Sequence, residues 1–281
     1  MGKKQIMQGA LLLSASNLLS RLLGFFYRIT MTKAIGAEGM GLYQLMMPIY
    51  ALSWSLTSAG LTTTLSHLTA REMALGQTGN AKRILRLSLL LSLCLSTLVA
   101  IGLFVLAPVL SVHVLQDERA IRPLQIVSCC IPMMALGSCM RGYFYGLQKH
   151  AVPAASQLLE QLVRLGAIFS LSAAFSLALP EKAVCAAAAG IVLGETASFL
   201  LTLFCLKMQP VAKRSPRFSW HQSLSLILSM AVPLSATRVF GSLLHTAENI
   251  LIPQRLALFP QSTNALADFG RLTGMAMPLG V

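Results

Sequence analysis

Arginines stand inside the apolar runs of this chain. Residues 9–35 carry Arg21 and Arg28, and residues 224–251 carry Arg238, His245 and Glu248. A guanidinium at the centre of a bilayer costs about 2.5–3.5 kcal/mol on insertion scales and keeps its charge there. A chain that retains several must set them against anions or in a wet cavity. Asn17, Arg21, Gly24 and Arg28 recur at i, i+4, i+7 and i+11, so they form one polar stripe on a helix, with the arginines about 10.5 Å apart in rise. Guanidinium groups match phosphate oxygens with paired donors, a geometry lysine cannot copy, so the stripe suits a diphosphate or another polyanionic head group. Pairing with acids on neighbouring helices, or snorkelling of Arg28 to the interface, are the plainer alternatives.

Acids are fewer. Glu160 and Arg164 stand at i, i+4 with Gln157 and Gln161 beside them, the spacing of a helix-local ion pair. Glu195 stands alone on its run and either answers an arginine or stays protonated. Arg238, Ser242, His245 and Asn249 share a helical face, and Glu248 lies one turn from His245. A His–Glu pair in a membrane helix can relay a proton, and a static ion pair uses the same residues. Glu160, Glu195, His245 and Glu248 are therefore the candidates for ion or proton coupling. Arg141 closes its run and reads as an anchor at the membrane surface.

The elements that must position these groups are long apolar helices. The sequence is 55% hydrophobic and only 11% charged, against about 25% charge in a soluble domain. Runs at residues 9–35, 42–66, 84–110, 124–147, 154–179, 183–206 and 224–251 each suffice for a membrane-crossing helix. An eighth run opens near Ala265 and the sequence stops at Val281, which suggests a fragment of a longer protein. The fold expected is an all-α polytopic membrane bundle. Residues 1–206 would form a six-helix lobe, residues 207–221 a basic cytoplasmic linker, and residues 222–281 the start of a second lobe. Pro48, Pro108, Pro132 and Pro233 lie within or at the ends of runs, where a missing N–H marks a kink or a cavity wall. Ser53, Thr57, Gly60 and Thr64 share one face and read chiefly as close helix packing. Residues 69–86 are polar and are expected to include a surface helix.

The net charge of +13 is explained by topology rather than by nucleic acid. With the N-terminus inside, the cytoplasmic segments hold eleven Lys and Arg residues and the outer loops five, the bias of the positive-inside rule. The basic stretch around Lys207–His221 would meet anionic membrane lipids. Lys3 and Lys4 before an apolar stretch resemble a signal peptide, but that stretch is too long and includes Arg21, so a retained span is expected. All six cysteines lie in apolar runs without metal-ligand spacing, and read as small packing residues. There is no nucleotide-binding loop and no nucleophile elbow, hence no enzyme signature and no cofactor motif.

Several strings carry a family resemblance: NLLSRLLGFFYRI, IGAEGMGLYQL, RGYFYGLQKHAVPAASQLLEQLVRLG, VPLSATRVFGSLLHTAENILIPQRL and DFGRLTGMAMPLG. Together they resemble the stage V sporulation protein B and polysaccharide-biosynthesis branch of the multidrug/oligosaccharidyl-lipid/polysaccharide exporter superfamily. The resemblance implies two six-helix lobes around a central cavity. It also implies alternating access that moves a polyprenyl-diphosphate-linked sugar or peptidoglycan precursor across the membrane, and a sporulation or cell-wall role. Arg21 matches the S-R-x-L-G-F arginine of the first helix and Arg271 the arginine of the eighth, so both are implied diphosphate contacts, with Arg28 and Arg238 in support. Two departures stand out. The second arginine of the first helix in those flippases would fall at Tyr27, about 100° round from Arg28, and the arginine expected after Pro48 is absent. The rival expectations are a cation-coupled exporter of small molecules, which would use the acids, and a truncated membrane protein that transports nothing. Cargo, coupling ion and oligomeric state stay open.

Overall fold

The structure is a computed structural model and describes residues 3–174, 180–209, 219–256 and 265–271. Every regular element among them is helical. The first helix, α1 (Lys3–Trp54), holds 52 residues. Straight, it would run about 78 Å, more than twice the hydrocarbon thickness. It turns instead at Gly36, whose φ of 71° and ψ of −179° lie outside the helical region and are open to glycine at little steric cost. The turn brings Tyr27 of the first arm and Tyr43 of the second onto the wall of one cavity; a straight helix would hold them about 24 Å apart.

After Trp54 the helix widens into a π segment (Ser55–Ala59) and continues as α2 (Gly60–Ala74). The expected surface helix within residues 69–86 is absent. Instead α2 runs on to Ala74, Gly76 turns the chain at a φ of 69°, and α3 (Thr78–Val109) begins at once. The reason is local. The carboxylate of Glu72, fully buried, accepts a hydrogen bond from Asn80 at 2.8 Å, and the Glu72 carbonyl accepts from the Gln77 N–H, so the two helices are clasped at the turn.

A second π segment (Leu110–Leu115) ends α3, and α4 (Ile121–Ser128) leads to α5 (Ile131–Gly146) across a bend of 47°. The run expected at residues 124–147 is thus a broken span. Pro132 sits in the first turn of α5, where its missing N–H costs no helical bond. Helix α6 (Ala151–Ala174), α7 (Pro180–Lys207), α8 (Trp220–Leu256) and the short α9 (Ala265–Phe269) complete the described chain. Residues 175–179, most of the linker (residues 210–218) and the eighth run beyond Arg271 lie outside the described residues.

Of the seven complete spans expected, three helices among the described residues are long and apolar enough to cross a membrane: Thr78–Val114, Glu181–Lys207 and Trp220–Ile252. The bent pair makes a fourth. The runs that fall short contain Arg21 and Arg28, the hydroxyl-rich stretch of residues 53–64, and Glu160 with Arg164. These are the runs whose polar faces turn inward. Outward faces carry Leu98, Ile101 and Val105 at 60–70% exposure, an apolar surface matched to acyl chains.

Close helix approach rests on small residues. A Cβ on Gly142 would meet the Thr62 carbonyl at 2.5 Å, and one on Gly146 the Ser66 carbonyl at 2.7 Å, so G-x-x-x-G on α5 seats directly on α2. Ser53, Thr57 and Thr64 are buried, and Ser53 and Thr57 return their hydroxyl protons to the carbonyls one turn back, Ile49 at 2.9 Å and Ser53 at 2.8 Å. Gly60 packs against Ala231 and Ser235 of α8. That face is packing, as its composition indicates.

Loops assigned to one side of the membrane gather at one end. Arg119 bonds Glu38 at 2.6 Å and Asp117 at 2.8 Å, and Arg122 lies 3.6 Å from Glu181. Its hydrogen bonds to Asp117 and then Glu38 hold the Arg119 guanidinium above its usual pKa. Segments assigned to the opposite side also meet one another: Arg83 lies over the Trp220 ring at 5.4 Å, and Lys149 donates to Gln209 at 2.6 Å.

Candidate functional site

Two adjoining cavities open between the helices, of about 840 and 810 Å³. They share Arg21, Tyr50, Ala51, Gln161 and Arg164, so they adjoin as one chamber, set with charged and polar side chains, between α1, α5, α6 and α7, with α8 at its edge. The stripe on α1 faces it. Asn17 and Arg21 line the first cavity; Arg21, Gly24 and Arg28 line the second. Neither Arg21 nor Arg28 has a carboxylate partner among the described residues.

Arg164 is built differently. Its Nη2 lies 2.7 Å from Glu160 Oε1 and 3.1 Å from Glu195 Oε1, and Tyr50 donates its hydroxyl to the same Glu195 oxygen at 2.7 Å. All three charged side chains are at most 15% exposed. The expected Glu160–Arg164 pair is present, and Glu195 answers the same guanidinium from α7. Gly194 makes this possible, because a Cβ there would stand 2.7 Å from Arg164 Cγ. Arg164 Nε and Glu195 Oε2 are buried without a partner. Two carboxylates around one guanidinium leave the cluster one negative charge in excess when both acids are ionised.

Arg141 departs from its expected place. Rather than anchoring α5 at the surface, it turns into the first cavity. Its Nη1 donates to Ser198 Oγ at 3.0 Å and its Nη2 to Ser138 Oγ at 2.9 Å. Trp54 Nε1 donates to the same Ser138 oxygen at 3.3 Å. Ser138 one turn before Arg141 was the available signal, since a hydroxyl at i−3 can hold an arginine along the helix. Tyr50 is the other residue that sequence reasoning passed over; nothing in its spacing marks a partner on α7.

The remaining candidates are scattered. His245 and Asn249 line the second cavity, while Glu248 lies 3.7 Å from His245 with both side chains about two-thirds exposed. Arg238 is exposed and lines neither cavity. Arg271 is also outside them, 3.3 Å from Asp268 and mostly exposed. Among the described residues no group of three His, Cys, Asp or Glu side chains is placed to hold a metal ion.

Comparison with known proteins agrees with this architecture. The chain is 33% identical to Stage V sporulation protein B of Bacillus subtilis (strain 168) over 285 residues, covering 99% of this chain and 55% of that protein. It is 25% identical to the Lipid II flippase MurJ of the same organism over 179 residues, or 61% of this chain and 32% of that protein. This chain therefore spans about half the length of the curated relatives it matches. Among solved structures, a MOP superfamily transporter from Pyrococcus furiosus superposes with a TM-score of 0.72 at 17% identity, over 94% of this chain and 58% of the other. A MATE transporter in complex with Br-NRF superposes with a TM-score of 0.67 at 16% identity, over 98% of this chain and 66% of the other. At such identities the likeness is one of fold. Residues 6–260 match the family described as polysaccharide biosynthesis protein, and the chain, a multi-pass helical membrane protein, belongs to that family.

Proposed function

We propose that this chain is the first lobe and the opening of the second in a flippase. Its cargo is a polyprenyl-diphosphate-linked sugar or peptidoglycan precursor, moved across the bacterial cytoplasmic membrane by alternating access with the N-terminus inside. One observation carries the proposal. Both cavity carboxylates are engaged by Arg164, whereas Arg21 and Arg28 face the same chamber with no acid to neutralise them. A chamber of that polarity attracts anions and repels cations. The relative named as a lipid II flippase supports a lipid-linked cargo.

In this scheme the head group sits in the chamber against Arg21, Arg28 and Asn17, and the polyprenyl tail stays among acyl chains outside the helices. Arg238 and Arg271 take no part in the state described, since neither lines the chamber. Protein dipoles and guanidinium charge replace the water that the diphosphate would otherwise lose on entering the membrane. The Glu160–Arg164–Glu195 cluster is the place for a coupling proton. A cation-coupled exporter of small molecules would hold its cargo on an acid without an arginine partner, whereas both cavity acids pair with Arg164 and only the excess charge of that cluster is left for a proton.

The test is complementation of a flippase-deficient strain with the whole flippase of which this chain forms the first lobe. Arg21→Ala is expected to abolish growth while its membrane level matches the unmutated protein. Growth at the unmutated rate would remove the proposal. Export of a fluorescent cation from vesicles, blocked by Glu248→Gln, would establish the rival instead.

A further inference from the structure

The geometry points to Arg141 as a second anion-binding residue of the chamber, one that selects a diphosphate over a single phosphate. It does so from α5, on the wall of the first cavity that Asn17 and Arg21 of the α1 stripe also line. The inference rests on the proposal that the chamber receives an anionic lipid head.

The chamber treats its arginines in two ways. Arg164 lies between two carboxylates, so its charge is spent within the protein. Arg141 is held only by hydroxyls, those of Ser138 and Ser198, which are 2% and 0% exposed. A hydroxyl accepts a hydrogen bond and fixes the direction of the guanidinium, but it brings no counter-charge. No carboxylate lies within salt-bridge distance of Arg141 among the described residues; Glu160, on the wall of the same cavity, acts on it only at longer range and is itself bound to Arg164. A guanidinium has five N–H donors, and the two serines account for two of them, so the rest remain for a ligand. Orientation without neutralisation is what a ready-made anion site requires, because the cation then meets its ligand without reorganising.

The brace is itself built with care. Ser138 Oγ accepts from Arg141 and from Trp54 Nε1, so α1, α5 and α7 all fix the position of this one side chain. Gly137 adjoins it: a Cβ there would come within 3.6 Å of Arg141 Nη1, so the guanidinium lies back along its own helix beside the cavity. A single phosphate can satisfy the α1 arginines. A neighbouring phosphate then meets Arg141 within the cavity that Arg21 also lines, which links α1 to α5 through the ligand.

Trp54 supplies the readout, since it lines the same cavity and touches the brace. The full chain is purified in detergent, with Trp220, the other tryptophan, replaced by phenylalanine. It is titrated with farnesyl diphosphate and with farnesyl monophosphate while Trp54 fluorescence is followed. Arg141→Gln is expected to weaken diphosphate binding roughly ten- to a hundred-fold, the range of a lost hydrogen-bonded charge, and to leave the monophosphate nearly unchanged. Arg21→Ala is expected to weaken both probes. Should Arg141→Gln not fold, Arg141→Lys retains the charge without the forked geometry and is expected to lose most of the diphosphate preference. An unchanged preference in either variant, with Arg21→Ala defective, makes Arg141 a structural brace and overturns the inference while leaving the flippase proposal standing. If the unmutated protein binds neither probe, the flippase proposal falls and takes this inference with it.

Discussion

Arg164 and Arg21 line the same chamber, yet removing them should have opposite consequences. Arg164→Ala strands Glu160 and Glu195 in a site at most 12% exposed. Breaking a buried pair in this way costs about 3–5 kcal/mol, because the remaining charge has neither water nor partner. A clear fall in thermal unfolding temperature in detergent is expected. Arg21→Ala strands nothing, so its unfolding temperature should stay close to that of the unmutated protein while transport is lost. Equal melting losses in the two variants would show that Arg21 has a structural partner after all. Tyr50→Phe removes a hydrogen bond to a buried carboxylate. It should destabilise by about 1.5–3 kcal/mol, part of which Glu195→Gln recovers.

At the scale of elements, the bundle depends on side chains that are missing. Gly142 and Gly146 let α5 rest on the α2 backbone, and Gly60 lets α2 rest on α8. Leucine at Gly142 would have to force the helices apart. Overpacking of a filled interface costs about 1–3 kcal/mol, and a sharp drop in folded yield is expected by detergent size-exclusion chromatography. The contact between the π segment and α8 can be trapped directly. Ser55 and Ser242 have their hydroxyl oxygens 2.5 Å apart, so a Ser55→Cys, Ser242→Cys pair should form a disulfide under mild oxidation. Adding Gly60→Leu should slow that cross-link strongly; an undiminished rate would mean that α8 does not sit on Gly60. The π segment follows Pro48, and the Thr246 hydroxyl is 3.4 Å from the Pro48 carbonyl. A widened turn and a helix without one of its hydrogen bonds therefore occur at the junction that α8 crosses.

Across the whole molecule, the polar chamber and the apolar exterior should be distinguishable by solvent. Asn17 lines the first cavity and is exposed there, while Leu98 on α3 is 70% exposed on an apolar face. In a background without the six native cysteines, Asn17→Cys should react with a small charged thiol reagent and Leu98→Cys should not. Reaction at both positions, or at Leu98→Cys alone, would show that the chamber is not the wet part of the molecule. Labelling of Lys82→Cys in spheroplasts only after permeabilisation, with Arg119→Cys labelled beforehand, is the outcome expected for an N-terminus inside.

Sequence alone determined the class of the fold and one wall of the chamber. Long apolar runs of about 20 residues read as membrane helices, and the 3.6-residue period puts Asn17, Arg21, Gly24 and Arg28 on one stripe whatever surrounds it. A helix-local pair such as Glu160–Arg164 is legible for the same reason. Tertiary structure decided everything that joins separate helices. Glu195 reaches Arg164 and Tyr50 only because α7 packs on α6 and α1; Arg141 faces inward only because Ser198 lies opposite; Arg238 and Arg271 stay outside the chamber although their chemistry matches that of Arg21. Periodicity fixes which residues share a face, and packing fixes what that face meets. The spans that carry a polar face also dilute their own apolar signal, so the sequence is least clear in the helices that build the site.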